Sequence, residues 1–319
     1  MSQKNGKCSF CKSGNVALIK PEILSDYFNS FFEIYEEVDD GQSLNYLIQN
    51  DWALFAFSKP SLQAKLLSAI LQDSDLPKKK FAPRFIKNDT IIDEWFTFTE
   101  ELKHKNRFLP DGAPKMDLFV KFGPLLGVNI KKGTQIFYRA RINDEGRQFL
   151  LKEMKKPPQK KSLNGRANPI GISYLYVAST PETAIAEVRG HKGESVTVLD
   201  FTATKDLTLF DLRDPKNTIS PFEWLDEIEF VYNHMPYLTL LGDELAKPVI
   251  PSKAHLDYLS SQYLCEMIKK IGFHGIIYKS SISDGHNYVI FTDNRLKHGT
   301  MNQYRITEMS YKSELIKDS

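Results

Sequence analysis

Tyr174-Leu175-Tyr176-Val177-Ala178-Ser179-Thr180-Pro181-Glu182-Thr183-Ala184-Ile185-Ala186-Glu187-Val188-Arg189-Gly190 is the stretch that decides the fold. Tyr174 to Val177 is a short run of aromatic and aliphatic residues and reads as a strand. Thr180 then stands as an N-cap with Pro181 at the first helical position, so a helix is expected to about Val188, ending near Arg189 and Gly190. The same alternation of short apolar runs and inserted helices continues on both sides. Gln135 to Arg139, Ser195 to Phe201, Leu207 to Leu212, Gly275 to Tyr278 and Asn287 to Phe291 read as strands, and His255 to Ile271 as a second helix. Strands with helices inserted among them make this part of the chain α+β.

Upstream the periodicity is helical. Ile23, Leu24, Tyr27, Phe28, Phe31, Phe32 and Tyr35 recur at three- and four-residue intervals after Pro21, giving one apolar stripe that needs a cover. Leu44 to Ile48, Pro60 to Leu71 and Ile91 to Leu102 continue the helical pattern. Asp111, Gly112, Ala113 and Pro114 bring breaker chemistry, so the change from helical to β-rich pattern is placed between about 110 and 132. The lysine- and proline-rich Lys152 to Ser162 is expected as an exposed, mobile connection that could close over a ligand.

Composition narrows the function classes. The chain has 319 residues with 41% hydrophobic and 26% charged, the profile of a chain that buries a core rather than of a disordered one. Lys and Arg number 42 against 40 Asp and Glu, a net charge of +2 with no like-charge block, so no nucleic-acid partner is expected. No run approaches the roughly 18 apolar residues of a membrane span, and Met1 to Lys20 holds no secretory core, which points to a cytoplasmic protein without a membrane partner. Three cysteines, Cys8, Cys11 and Cys265, are consistent with a reducing compartment. Cys8 and Cys11 have zinc-knuckle spacing, but a site needs about four ligands and no second pair exists, so an unmetallated segment is expected over a structural zinc.

Several residues carry chemistry. Arg139 and Arg141 place guanidinium groups in a strand, where alternation sends Tyr138 and Arg139 to opposite faces. A half-buried arginine wants a carboxylate or a phosphate, and a structural salt bridge explains it as well as a ligand does. Asn164-Gly165-Arg166-Ala167-Asn168-Pro169 promises a turn with exposed backbone N–H groups around a second arginine. Tyr176 offers an aromatic face, and Glu187 sits among alanines that allow close approach. Ser280, Gly285 and Asn287 belong to a polar loop between two strands, without the elbow a serine nucleophile needs. For RNA cleavage by the helical third, an arginine followed by a histidine is wanted, and His104 precedes Arg107 instead.

Taken together the set resembles the RES domain, a family of bacterial toxins. Arg139, then Gly165-Arg166-Ala167-Asn168, Tyr176, Glu187 and Ser280 match that family's ordered residues, with Gly285 and Asn287 as its Gly-x-Asn loop; Tyr258 to Glu266, including Gln262, resembles the helix before its final strands. Asn164 replaces a common glycine and Lys279 a common proline. The N-terminal part resembles the HEPN-like helical extension of some RES domains. The resemblance implies a RES domain over 130–300 with an ADP-ribosyltransferase-like split β-sheet core. A Cys-x-x-Cys segment (1–20) and a helical domain (21–125) precede it, and a tail (301–319) follows. It also implies an NAD+-degrading toxin that cleaves the nicotinamide–ribose bond by hydrolysis or phosphorolysis, with protein ADP-ribosylation or a silent NAD- or partner-binding module as alternatives. Arg139, Arg166, Tyr176, Glu187 and Ser280 are then the catalytic set. Arg141, Asn168, Gln262, Gly285 and Asn287 would contact substrate, and a cognate antitoxin or self-association would provide restraint.

Overall fold

The six strand-like runs all become strands. In a computed structural model that describes residues 4–85, 89–144, 147–249 and 251–310, they and two further strands form one sheet of eight. Residues 1–3 and 311–319, parts of the expected N-terminal segment and C-terminal tail, lie outside the described residues. In chain order the strands are β1 (Gly127–Ile130), β2 (Ile136–Ile142), β3 (Leu175–Ala178), β4 (Ser195–Ala203), β5 (Leu207–Asp211), β6 (Gly275–Lys279), β7 (His286–Ile290) and β8 (Leu296–Arg305). Their order across the sheet is β8-β4-β2-β3-β7-β6-β5-β1. All neighbours are antiparallel except β6 and β5. The fold is α+β with a large sheet core.

One face of this sheet is built from Phe137, Leu175, Val177, Leu199, Phe201, Ile277, Tyr288 and Ile290, all nearly or fully buried. At roughly 1.5–3 kcal/mol per large apolar side chain removed from water, this layer is the main source of cohesion. The other face is lined by Ala140, Ala178, Val196 and Val198, against which Ala184 of the Pro181–Glu187 helix packs. Small residues on both partners let the helix lie close. Thr180 caps it as expected, accepting the Thr183 N–H at 3.1 Å, and Arg189 leaves it with a left-handed φ of 52°.

The sheet has one weak seam. β2 meets β4 over seven register pairs, from Ile136↔Thr202 to Ile142↔Val196. With β3 it shares the single pair Tyr138↔Ala178. Beyond that point the two strands part, and the ladder stays open at Arg139, Ala140, Tyr176 and Val177.

The connection from Lys152 to Ser162 is exposed at Lys152, Lys155 and 158–161, as expected, and is anchored to the core at two points. Met154, in a short helix at Leu151–Met154, is fully buried in the sheet core, and Ser173 Oγ donates to the Pro157 carbonyl at 2.6 Å. The single helix expected over His255 to Ile271 divides into Ala254–Asp257 and Leu259–Lys270.

Packing divides the chain into two compact units, one of residues 1–93 with 214–239, the other of 94–213 with 240–319. The first contains helices Ser25–Phe32, Leu44–Trp52 and Pro60–Leu71 and a two-stranded pair of Tyr35–Gln42 with Phe81–Pro83. Phe31 is its fully buried centre, edge-on to Trp52 at 5.6 Å and 5.4 Å from Phe222. Tyr35 continues the predicted stripe in sequence but opens the strand. No helix of the described residues is long and apolar enough to cross a membrane.

Candidate active site

The parting of β2 and β3 makes a cleft of about 340 Å³. Tyr138, Arg139 and Ala140 come from one side of the seam, and Tyr176, Val177 and Ala178 from the other. Ala184, Glu187 and Val188 close it from the helix, and Tyr278 and Asn287 from β6 and β7.

Arg139 reaches into the seam. Its Nη1 donates to the Tyr176 carbonyl at 3.0 Å, replacing the ladder bond lost where the strands part. Its Nε is enclosed and has no hydrogen-bond partner. Burial, with the nearby charge of Arg141, pushes the guanidinium pKa down to about 10, so it remains a cation at neutral pH in surroundings that disfavour one. No ion pair joins it to a carboxylate among the described residues. A half-buried cation without a carboxylate partner is costly unless something anionic approaches it.

Glu187 supplies the opposite charge. It ends its helix, where the helix dipole disfavours a carboxylate, and two donors hold it there. Ser280 Oγ donates to Oε1 at 2.7 Å and Asn287 Nδ2 donates to the same oxygen at 2.6 Å. Oε2 has no partner among the described residues, and the residue is exposed to the cleft. Gly285 sets this grip. Its carbonyl accepts the Ser280 N–H at 3.1 Å, and a Cβ on it would collide with Thr183 Oγ1 of the helix. Gly285→Ala is therefore expected to lose about 1–3 kcal/mol of stability and most of the activity, read by thermal melting and turnover.

The predicted turn forms beside the seam and is held by its own polar side chains. Tyr176 Oη donates to Asn168 Oδ1 at 2.6 Å and accepts the Ala167 N–H at 3.0 Å. Asn168 Nδ2 meets the carbonyls of Leu163, Pro169 and Ile172 between 2.7 and 3.2 Å. Gln262 Nε2 donates to Asn164 Oδ1 at 2.8 Å and to the carbonyls of Gly165 and Asn168 at 2.7 and 3.1 Å. Gly165 has no room for a side chain, since a Cβ would sit 2.6 Å from Asn168 Oδ1 and 2.8 Å from Tyr176 Oη. Arg166 Nη1 donates to the Lys247 carbonyl at 2.8 Å, with its guanidinium 5.6 Å from the Tyr258 ring centroid.

The RES domain profile matches residues 137–307 of this sequence, more than half of the chain. The chain belongs to the RES domain family. Among solved structures, it is similar to the crystal structure of the M. tuberculosis MbcT–MbcA toxin–antitoxin complex, at 13% identity over 58% of this chain and 91% of that one, with a TM-score of 0.33. No curated protein matches it.

The RES domain thus brings Arg139, Tyr176, Glu187 and Asn287 to one cleft, with Ser280 bonded to Glu187 at its mouth. Asn168, Gln262 and Gly285 support the residues around it. Arg141 is not among the lining residues: its Nη1 donates to the Glu153 carbonyl at 2.8 Å and its guanidinium lies over Phe149 at 4.3 Å. Sequence reasoning missed Tyr138 and Tyr278. Both belong to one cross-strand row, Tyr138↔Ala178, Ala178↔Asn287 and Asn287↔Tyr278, which strand alternation alone assigns to one face.

A second polar group was also missed. Asp211, fully buried, accepts two side-chain bonds from Arg213 Nε and the Arg213 backbone N–H. Arg213 Nη1 in turn lies 3.3 Å from His286 Nε2, which must accept because arginine only donates. Burial, then the Arg213 charge, lowers the His286 pKa below 6.5. The unfolded chain therefore takes up the proton first, and stability is lost as pH falls below about 6.5. Melting temperatures between pH 7.5 and 5 should fall less in His286→Gln than in the parent protein.

Cys8 and Cys11 lie in a hairpin of Lys4–Gly6 and Val16–Leu18, where the Cys11 thiol meets Ser13 Oγ at 3.2 Å. No cluster of three or more His, Cys, Asp or Glu among the described residues could hold a metal.

Proposed function

We propose that this RES domain binds NAD+ in the seam cleft and breaks its nicotinamide–ribose bond, making the chain an NAD+-degrading toxin. The observation that carries the reading is the Arg139 cation, which lines the cleft without a carboxylate partner among the described residues, while the other wall presents the exposed Glu187 carboxylate. The sheet that opens at Tyr138↔Ala178 supports an ADP-ribosyltransferase-like core.

The chemistry follows from these charges. Nicotinamide leaves with the electron pair of the C1′–N bond and becomes neutral, so no strong acid is needed. Positive charge develops on the ribose C1′ and ring oxygen, and the unpartnered Glu187 Oε2 stabilises it in this reading. Ser280 and Asn287 hold Oε1, which fixes the direction of the carboxylate. The remaining Nη donors of Arg139 pair with the pyrophosphate, and the Tyr176 ring packs beside the sugar or nicotinamide. Arg166, held on the Lys247 carbonyl, steadies the turn that carries the Tyr176 partners. Water or phosphate then attacks C1′ and gives up its proton to solvent or buffer.

Such an activity would consume the host's own NAD+, so restraint by a cognate antitoxin or by self-association belongs to this reading. The acceptor is tested with NAD+ labelled in its adenylate half. Label is expected in ADP-ribose, or in its 1-phosphate when phosphate is present, and not on protein. A labelled protein band would make the chain a protein ADP-ribosyltransferase using the same cleft.

A further inference from the structure

Tyr278 has no assigned task in this cleft. It lies on β6 directly opposite Asn287, the residue that grips Glu187, and is only 6% exposed. Its hydroxyl forms no hydrogen bond with any described residue, yet it is not a sealed, unsatisfied group, so its open side is the cleft that the residue lines. Burial, and next the negative charge of Glu187, hold the phenol protonated, while the charge of Arg166 acts the opposite way. A neutral donor with nothing to bond, set beside the carboxylate that faces C1′, is uncommon in a finished core. Its neighbour Tyr176 shows the contrast, because both bonds of that hydroxyl are spent on Asn168 and Ala167.

The row geometry says what shape it faces. Ala178 stands between Tyr138 and Asn287, and Ala140 and Ala184 add two more small side chains to the same hollow. The alanines leave room for a ring between the two phenols. A sugar is the part of a dinucleotide that must sit against Glu187 for the bond to break.

We infer that Tyr278 is a positioning and specificity residue that donates its phenol to a hydroxyl of the nicotinamide ribose, orienting that sugar against Glu187. This rests on the proposed NAD+ chemistry. A purely structural tyrosine would be replaced by phenylalanine without consequence, because the ring and its packing are kept.

The test compares the parent protein with Tyr278→Phe, using NAD+ and its 2′-deoxy and 3′-deoxy analogues in the nicotinamide ribose. Tyr278→Phe is expected to keep its melting temperature and lose about tenfold in kcat/KM on NAD+. One of the two analogues should be discriminated against by the parent and no longer by the variant, because the contact is already gone. Unchanged kcat/KM, or equal discrimination by parent and variant against both analogues, overturns the inference. Calorimetric affinities separate its failure from that of the underlying reading. A parent protein that binds NAD+ without cleaving it refutes the chemistry, and the same comparison of affinities still decides the Tyr278 contact. A parent that neither binds nor cleaves NAD+ refutes both.

Discussion

Glu187→Gln is expected to lower NAD+ cleavage by roughly a hundred- to a thousandfold while leaving the fold intact. The amide oxygen of glutamine still accepts the bonds from Ser280 and Asn287 that anchor Oε1. What disappears is the charge on the oxygen that faces C1′. Stability should not fall, because a carboxylate at the end of the Pro181–Glu187 helix works against the helix dipole. The loss should appear in kcat, with KM for NAD+ little changed, since the carboxylate acts on charge that develops only on the way to the transition state. Steady-state kinetics beside a thermal melt checks both halves. Equal losses in melting temperature and rate would mean that Glu187 is a structural residue.

Arg139→Met should divide function from stability in another way. In the free protein the guanidinium is a half-buried cation with an enclosed, unsatisfied Nε and one bond to the Tyr176 carbonyl. Replacing it with an apolar chain of similar length removes a charge that burial disfavours, so the melting temperature is expected to hold or rise. Affinity for NAD+ should fall by about a hundredfold, the scale of a lost charged contact to phosphate. The decisive readout is the pair of signs. A variant that melts earlier and still binds NAD+ would make Arg139 a brace for the seam.

The strands were legible because their burial is one-sided or complete, and short apolar runs such as Ser195–Ala203 and Gly275–Lys279 have no helical alternative of sufficient length. The Thr180-Pro181 start was legible because its capping chemistry is local. β1 and β8 were not. β1 is only four residues long, and in β8 a register shift between His298 and Met301 breaks the period of two, where Gly299 packs against Asp200. The membership of 214–239 in the first unit depends on contacts such as Phe31 with Phe222, far apart in sequence.

The candidate site was legible as residue types in order and much less as roles. Alternation sends Tyr138 and Arg139 to opposite faces, yet both line one cleft, because the opening lies within the sheet itself. Nothing in the sequence shows that β2 and β3 share a single pair. Asn168 and Gln262 look like ligand-binding amides until their hydrogen bonds are counted, and those bonds hold the turn. Tyr278 is inconspicuous in a hydrophobic strand, and only the free hydroxyl distinguishes it from a core residue.

The most direct measurement is nicotinamide release, followed by chromatography, from NAD+ incubated with purified protein or with Glu187→Gln. The account predicts steady release by the parent protein, accompanied by one ribosyl product in equal amount, and almost none by the variant. Equal release by both, or none from a folded parent protein freed of any co-purifying partner, would contradict it.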